Sequence, residues 1–170
     1  QEFSVVFDTG SSVLWVPGAH CRSRLCSQRH RFDQSKSDSF STLNPANATH
    51  LKNKIVYGTG QVNLEYGLDD VSIAGEKLAP NQLIGFTLAE SSFPFARLPF
   101  DGIIGLAYPR AGQDQAFLSN IGHSGLFKNN FFSMYLSRDT HKPGVVSFGE
   151  LPKGHVQEGE EVEEKFPKEN

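Results

Sequence analysis

Long apolar runs are missing from this sequence. No stretch approaches the length that a membrane-spanning helix needs, and no signal-peptide pattern opens the chain. Positive charge is not in excess: Lys+Arg number 16 against Asp+Glu 19, a formal net charge of −3. That balance gives no electrostatic case for nucleic acid. Several chemical signatures are absent as well. There is no Gly-x-Ser-x-Gly elbow, and neither cysteine neighbours a catalytic-looking histidine, so nucleophilic hydrolysis is unsupported. No His-Glu-x-x-His zinc signature occurs. Gly58-Thr59-Gly60 suggests a nucleotide loop only until Asn63, which stands where a third glycine is needed, and no helix pattern follows.

What is present points to a mostly β fold. The 170 residues are enough for one domain with a real core. Hydrophobic content of 38% and charged content of 21% are ordinary for a soluble globular protein. Short apolar runs alternate with 16 Gly and 9 Pro used as punctuation. The run Phe3-Ser4-Val5-Val6-Phe7 is rich in β-formers and too short for a globular helix, so it reads as a buried strand. It delivers Asp8 into the turn Thr9-Gly10-Ser11-Ser12. A buried carboxylate without donors is expensive. Thr9 and Ser11 supply hydroxyls, and Gly10 lets the backbone come close or take a positive φ. An Asp in an ordinary β-turn is the plainer reading of the same residues.

Cys21 and Cys26 allow two readings. One is a small disulfide loop, which suits an oxidising compartment. The other is a metal site formed with His20 and His30. Arg22, Arg24, Arg29 and Arg31 make this loop cationic, which weighs against a dication. Residues 31–54 are polar, with Phe32 and Phe40 as anchors, and Asn47-Ala48-Thr49 is an acceptor sequon for N-glycosylation if the chain is secreted.

Further along, Ile55-Val56-Tyr57 and Gln61 to Leu68 read as a hairpin around a glycine-rich tip. Residues 69–78 predict a strand, a turn at Ala74-Gly75 and a second strand, with 82–89 as another. Asp69 and Asp70, beside a turn, read as a solvated pair. Residues 92–99 form an aromatic loop. Phe100-Asp101-Gly102-Ile103-Ile104-Gly105-Leu106 reads as a buried strand ended by a glycine at a close backbone approach. Asp114 is placed to cap a helix over Gln115 to about Phe127, with Phe117, Leu118 and Ile121 on one face, Gly125 near its end and His123 exposed. Residues 131–137 and 144–149 predict two more strands. Glu158 to Asn170 carries six Glu and two Lys and reads as a solvated linker or tail.

Phe-Asp-Thr-Gly-Ser-Ser followed by Leu14-Trp15-Val16-Pro17 resembles the catalytic turn of the pepsin-like aspartic proteases. Phe100-Asp101-Gly102-Ile103-Ile104-Gly105-Leu106 is similar to that family's Phe-Asp-Gly-Ile-Leu-Gly-Leu segment. The pairs around Phe131 and Phe148 also match, with Glu150 in place of a glycine. The resemblance covers roughly residues 1–150 but only the first of the family's two lobes. It implies orthogonally packed β-sheets, a flap hairpin and one or two short helices. It divides the chain into an N-terminal lobe, 1–150, and a crossover or tail, 151–170, leading toward a C-terminal lobe that this sequence does not contain.

The same resemblance assigns residues. Asp8 is implied to be one catalytic carboxylate, with Thr9, Gly10 and Ser11 supporting the turn. Substrate is implied to meet Gly10, Tyr57, Gly58, Thr59 and Ile103, with Phe93 or Phe95 lining the pocket before the cut bond. Trp15 is expected to support the flap by donating its indole N–H to Tyr57. Cys21 and Cys26 are expected to be a disulfide. Asp101 is implied to be structural. No metal or cofactor is called for. In such enzymes one carboxylate takes a proton from water while its protonated twin steadies the carbonyl oxygen, and two acids that close share one proton. The function implied is aspartic endopeptidase acting on peptide or protein substrates in a secreted or lysosomal/endosomal lumen. Only one Asp-Thr-Gly turn is present. The chain is therefore expected to be a processed or truncated piece, inactive alone. The alternatives are a homodimer that pairs two copies of Asp8, or a non-catalytic peptide- or partner-binding relative.

Overall fold

A computed structural model describes residues 1–44, 54–108, 116–152 and 154. The chain divides into two compact units, Gln1–Leu126 and Phe127–Asn170.

The first unit is mostly β. Its strands are β1 (Val5–Asp8), β2 (Trp15–Pro17), β3 (Ser41–Thr42), β4 (Lys54–Tyr57), β5 (Gly60–Ile73), β6 (Glu76–Glu90) and β7 (Gly102–Gly105). They form one sheet in the order β1-β7-β2-β6-β5-β3, with β4 added to β5. β1 runs parallel to β7, so Asp8 stands beside Gly105, while β2 crosses β7 antiparallel through the pair Trp15 and Ile103. Three short strands distant in sequence thus meet near Asp8. Along the start of β5, buried Gly60, Val62 and Leu64 alternate with exposed Gln61, Asn63 and Glu65, the period-two pattern of a strand with one face on a core. That core holds Trp15, Leu25, Val62, Leu64, Phe95 and Ile103.

Three sequence expectations change in detail. The long partner of β5 is one strand, not two. Pro80 cannot donate to the ladder, and there the register shifts, with Asp69 opposite Gln82 but Val71 opposite Ala79. The Asp70 carboxylate accepts the freed Asn81 N–H at 2.9 Å. Asp69 and Asp70 are therefore not a solvated pair. Adjacent strand residues point to opposite faces, so Asp69 is buried and accepts from Ser37, Ser39 and the Asp70 N–H. Asp70 instead holds Lys77 at 2.6 Å, and that hydrogen bond lowers its pKa from the ordinary carboxylate value.

The helix α1 is shorter than expected, Phe117–His123. Phe117 and Ile121 are buried as anticipated, Leu118 only partly, and His123 is exposed. Ser124 Oγ donates to the Ile121 carbonyl at 2.6 Å and Gly125 has φ +69, which closes the helix early. Asn120 ties it to β6 through the Pro80 carbonyl and Gln82 Oε1. Asp114 and Gln115 lie outside the described residues, as do Asn47 and the acidic residues from Glu158 on. No helix among the described residues is long and apolar enough to cross a membrane.

The second unit is built on the antiparallel pair β8 (Phe132–Tyr135) and β9 (Val145–Phe148). Phe127 packs on Phe148 with ring centroids 6.1 Å apart, and Ser133 Oγ donates to the Glu150 carbonyl.

Candidate active site

The acid is seated by its own turn. Asp8 closes β1, and its Oδ1 accepts the Gly10 N–H at 2.9 Å while Oδ2 accepts Ser11 Oγ–H at 2.6 Å. Gly10 serves by proximity rather than by a left-handed conformation, because a Cβ there would lie 3.2 Å from Asp8 Oδ1. Thr9 is exposed beside it. The turn is braced from behind by the segment after β7. Leu106 N–H donates to the Asp8 carbonyl at 2.7 Å and Ala107 N–H to that of Ser11 at 2.8 Å. Gly105 makes this approach possible: a Cβ would sit 2.5 Å from Val13 N and 2.6 Å from the Ser11 carbonyl oxygen. Those contacts are with backbone, so no side chain can be placed there without moving the turn.

A hairpin stands next to the acid. Tyr57 ends β4, and Gly58 and Thr59 form the two-residue loop into Gly60. Gly58 has φ +53, the conformation that favours glycine at the first position of such a turn. The Trp15 indole N–H donates to the Tyr57 phenol oxygen at 3.0 Å. Ser11 and Asp8 lie close to the phenol. Burial pushes the Tyr57 pKa up, the polar groups of Ser11 and Trp15 oppose this, and the nearby Asp8 charge adds to the rise. The phenol therefore stays neutral. The Trp15–Tyr57 pair and the Ser11–Asp8 pair are two hydrogen bonds lying side by side.

The aromatic candidates separate. Phe95 is buried under the hairpin, edge-on to Trp15 at 5.8 Å and to Tyr57 at 6.1 Å. Phe93 is 57% exposed and lies over Arg97. Ile103 is buried beside Trp15.

Cys21 and Cys26 are joined as a disulfide. The histidines of the metal reading are elsewhere: His20 faces Glu65 at 3.4 Å and His30 faces Asp101 at 3.1 Å. The carboxylate nearest the sulfurs is Glu90, but it is paired with Arg29, and disulfide sulfurs offer no thiolate. Asp101 is occupied structurally, accepting the N–H groups of Ser4 and His30.

Sequence reasoning misses one central residue. Arg29 reads as one of four surface cations, yet its side chain is 6% exposed. Its guanidinium reaches Glu90 Oε2 at 3.3 Å and the carbonyls of Phe95 at 2.6 Å and Asp101 at 3.1 Å, with Phe100 below it. It thus ties the end of β6, the aromatic loop and the approach to β7 into one support behind the site. Burial raises the Glu90 pKa from its ordinary value despite hydrogen bonding from Thr87 and the Arg29 charge. The partners lie 61 residues apart, and nothing local marks either one.

Comparison with known proteins places these features in a family. The family model for eukaryotic aspartyl protease matches residues 1–161. Plasmepsin VI of Plasmodium berghei (strain Anka) is 36% identical over 96% of this chain and 38% of its own length. Pepsin A of Suncus murinus is 40% identical over 88% of this chain and 37% of its own, and pepsin A of Bos taurus is 38% identical over 89% and 39%. The chain therefore spans well under half the length of these curated relatives.

Proposed function

This chain belongs to the eukaryotic aspartyl protease family, and we propose that residues 1–150 are the N-terminal lobe of an aspartic endopeptidase, with 151–170 leading toward a C-terminal lobe. Asp8 supplies one of two catalytic carboxylates. The observation that carries this reading is the seating of Asp8: two donors hold its oxygens, and it lies close to a tyrosine on a glycine-tipped hairpin. A carboxylate held this way is fixed in direction while its charge is moderated by hydrogen bonds rather than by a cation. That suits a group that must share a proton with a like-charged twin.

In this reading, Tyr57 closes over an extended peptide. The backbone of Gly58 and Thr59 adds the peptide as a further strand. Gly10 borders the reacting carbonyl, Phe95 and Ile103 form the floor, and Phe93 contacts substrate from its exposed position. The disulfide fits an oxidising lumen, secreted or lysosomal/endosomal, in which Asn47 is available for glycosylation. The reaction needs no cofactor.

The test uses the two-lobed protein and a chromogenic peptide. Hydrolysis blocked by a peptide inhibitor carrying a hydroxyl in place of the scissile carbonyl is expected. Peptide binding without hydrolysis would instead establish a binding protein. Turnover by the 170-residue chain alone, rising with the square of its concentration, would establish a homodimer.

Tyr57→Ala is expected to raise KM and lower turnover while the fold is retained. It removes the acceptor of the Trp15 N–H, a loss of about 1 kcal/mol. Trp15 is the single tryptophan of this sequence, so its emission in the isolated chain reports the break directly. An unchanged rate would remove the hairpin from substrate binding.

A further inference from the structure

Between His20 and Arg31 the chain carries Arg22, Arg24, Arg29, Arg31 and two histidines with no Asp or Glu, in a protein of net charge −3. The structure separates these cations. Arg29 turns inward to Glu90, while Arg22, Arg24 and Arg31 remain exposed. None of the ion pairs among the described residues includes these three. Of the acids around the loop, Asp33 holds Lys36 and Glu90 holds Arg29, while Glu65 and Asp101 face the rings of His20 and His30 and not these arginines. Three guanidinium groups on one short segment thus have no ion-pair partner among the described residues.

The segment is held in shape. The Cys21–Cys26 disulfide closes it. Cys26 N–H donates to the Ser23 carbonyl at 3.1 Å and Gln28 N–H to that of Leu25 at 3.0 Å. Arg22 N–H pins it to Leu88 of β6 at 3.0 Å, and Ala19 N–H to Phe32 at 2.8 Å. A surface whose backbone is already ordered loses less entropy when it binds.

We propose that residues 20–31 form a binding surface for a linear sulfated polysaccharide, with Arg22, Arg24 and Arg31 as the contacts. Guanidinium forks match the paired oxygens of a sulfate, and weak hydration of the group favours such contacts over an ammonium. The remaining exposed side chains of the loop are polar, among them Ser27, Gln28 and His30, while Leu25 is buried. Within the loop itself no large apolar side chain is offered to a lipid surface. Phe32, the aromatic at the loop's end, is buried too, so no ring is offered to a nucleic-acid base. The surface is pinned to Leu88 rather than to the hairpin of Tyr57, and the proposal stands apart from the peptidase reading.

The test is binding of the chain and of the two-lobed protein to heparin near neutral pH as salt is varied. Affinity is expected to fall steeply with salt, with a slope set by about three released counterions. The triple variant Arg22→Ser, Arg24→Ser, Arg31→Ser is expected to lose at least about tenfold affinity at low salt and most of that slope. A second triple variant, Lys128→Ser, Arg138→Ser, Lys142→Ser, changes the net charge equally and is expected to bind as the parent does. Equal loss in both triples, or no binding by the parent, would overturn the proposal. So would tighter binding to phosphatidylserine vesicles or to single-stranded DNA than to heparin. If the loop triple does not fold, each single substitution is measured instead, with about a two- to threefold loss expected from each and no loss from any overturning the assignment.

Discussion

Asp8→Asn in the two-lobed enzyme is expected to abolish peptide hydrolysis, by at least about 10²- to 10⁴-fold for the loss of one acid–base group, with the unfolding midpoint little changed. The geometry explains why fold and activity separate. Asn keeps an oxygen to accept the Gly10 N–H, and Ser11 can turn its hydroxyl to accept from the new amide. The backbone braces from Leu106 and Ala107 do not involve the side chain. What disappears is the ability to take and return a proton. Peptide turnover measured at several pH values, beside a thermal melt, checks both halves. Retained turnover would end the peptidase proposal, and a lost fold would show that the carboxylate charge itself holds the turn.

The second large effect is expected at Arg29. Arg29→Leu strands the buried Glu90 carboxylate and frees the Phe95 and Asp101 carbonyls, a loss of about 3–5 kcal/mol for breaking one side of a buried ion pair. The loss is expected to depend on pH. Glu90 has its pKa raised in the folded state by burial. The folded protein therefore keeps a proton that the unfolded chain releases above the ordinary carboxylate range, and stability falls as pH rises through that window. Removing the Arg29 charge lets burial push Glu90 further up, which widens the window. The variant is expected to lose most near neutral pH and least where Glu90 is protonated in both states. Denaturant midpoints across pH, with Glu90→Gln added to Arg29→Leu as a partial rescue, read this directly. A flat difference across pH would show that the cost lies in the carbonyl contacts and not in the charge.

The candidate site was largely legible from local signals because its parts are short and chemically conspicuous. A β-forming run that ends in Asp needs donors within two or three residues, and Gly10 and Ser11 are those donors. An aromatic beside a glycine-rich tip announces a hairpin, and a strand closed by Gly105 announces a close approach. The link between Trp15 and Tyr57 was legible only through the family resemblance. Local signals misled where partners are distant. Asp69 and Asp70 look alike in sequence, yet β alternation buries one beside Ser37 and Ser39 and leaves the other to Lys77. Pro80 looks like a strand break, yet a register shift absorbs it.

By itself, then, the sequence determined the strand-forming runs, the turn that holds the acid, the hairpin tip and the family, since each depends on residues within a few positions of one another. Only the tertiary structure decided that one arginine of four turns inward to Glu90, that Phe95 rather than Phe93 lies beneath Tyr57, and that the hairpin's tyrosine stands close to the acid. Those outcomes depend on which segments chain closure brings together, and burial then selects among side chains that are equivalent in the sequence.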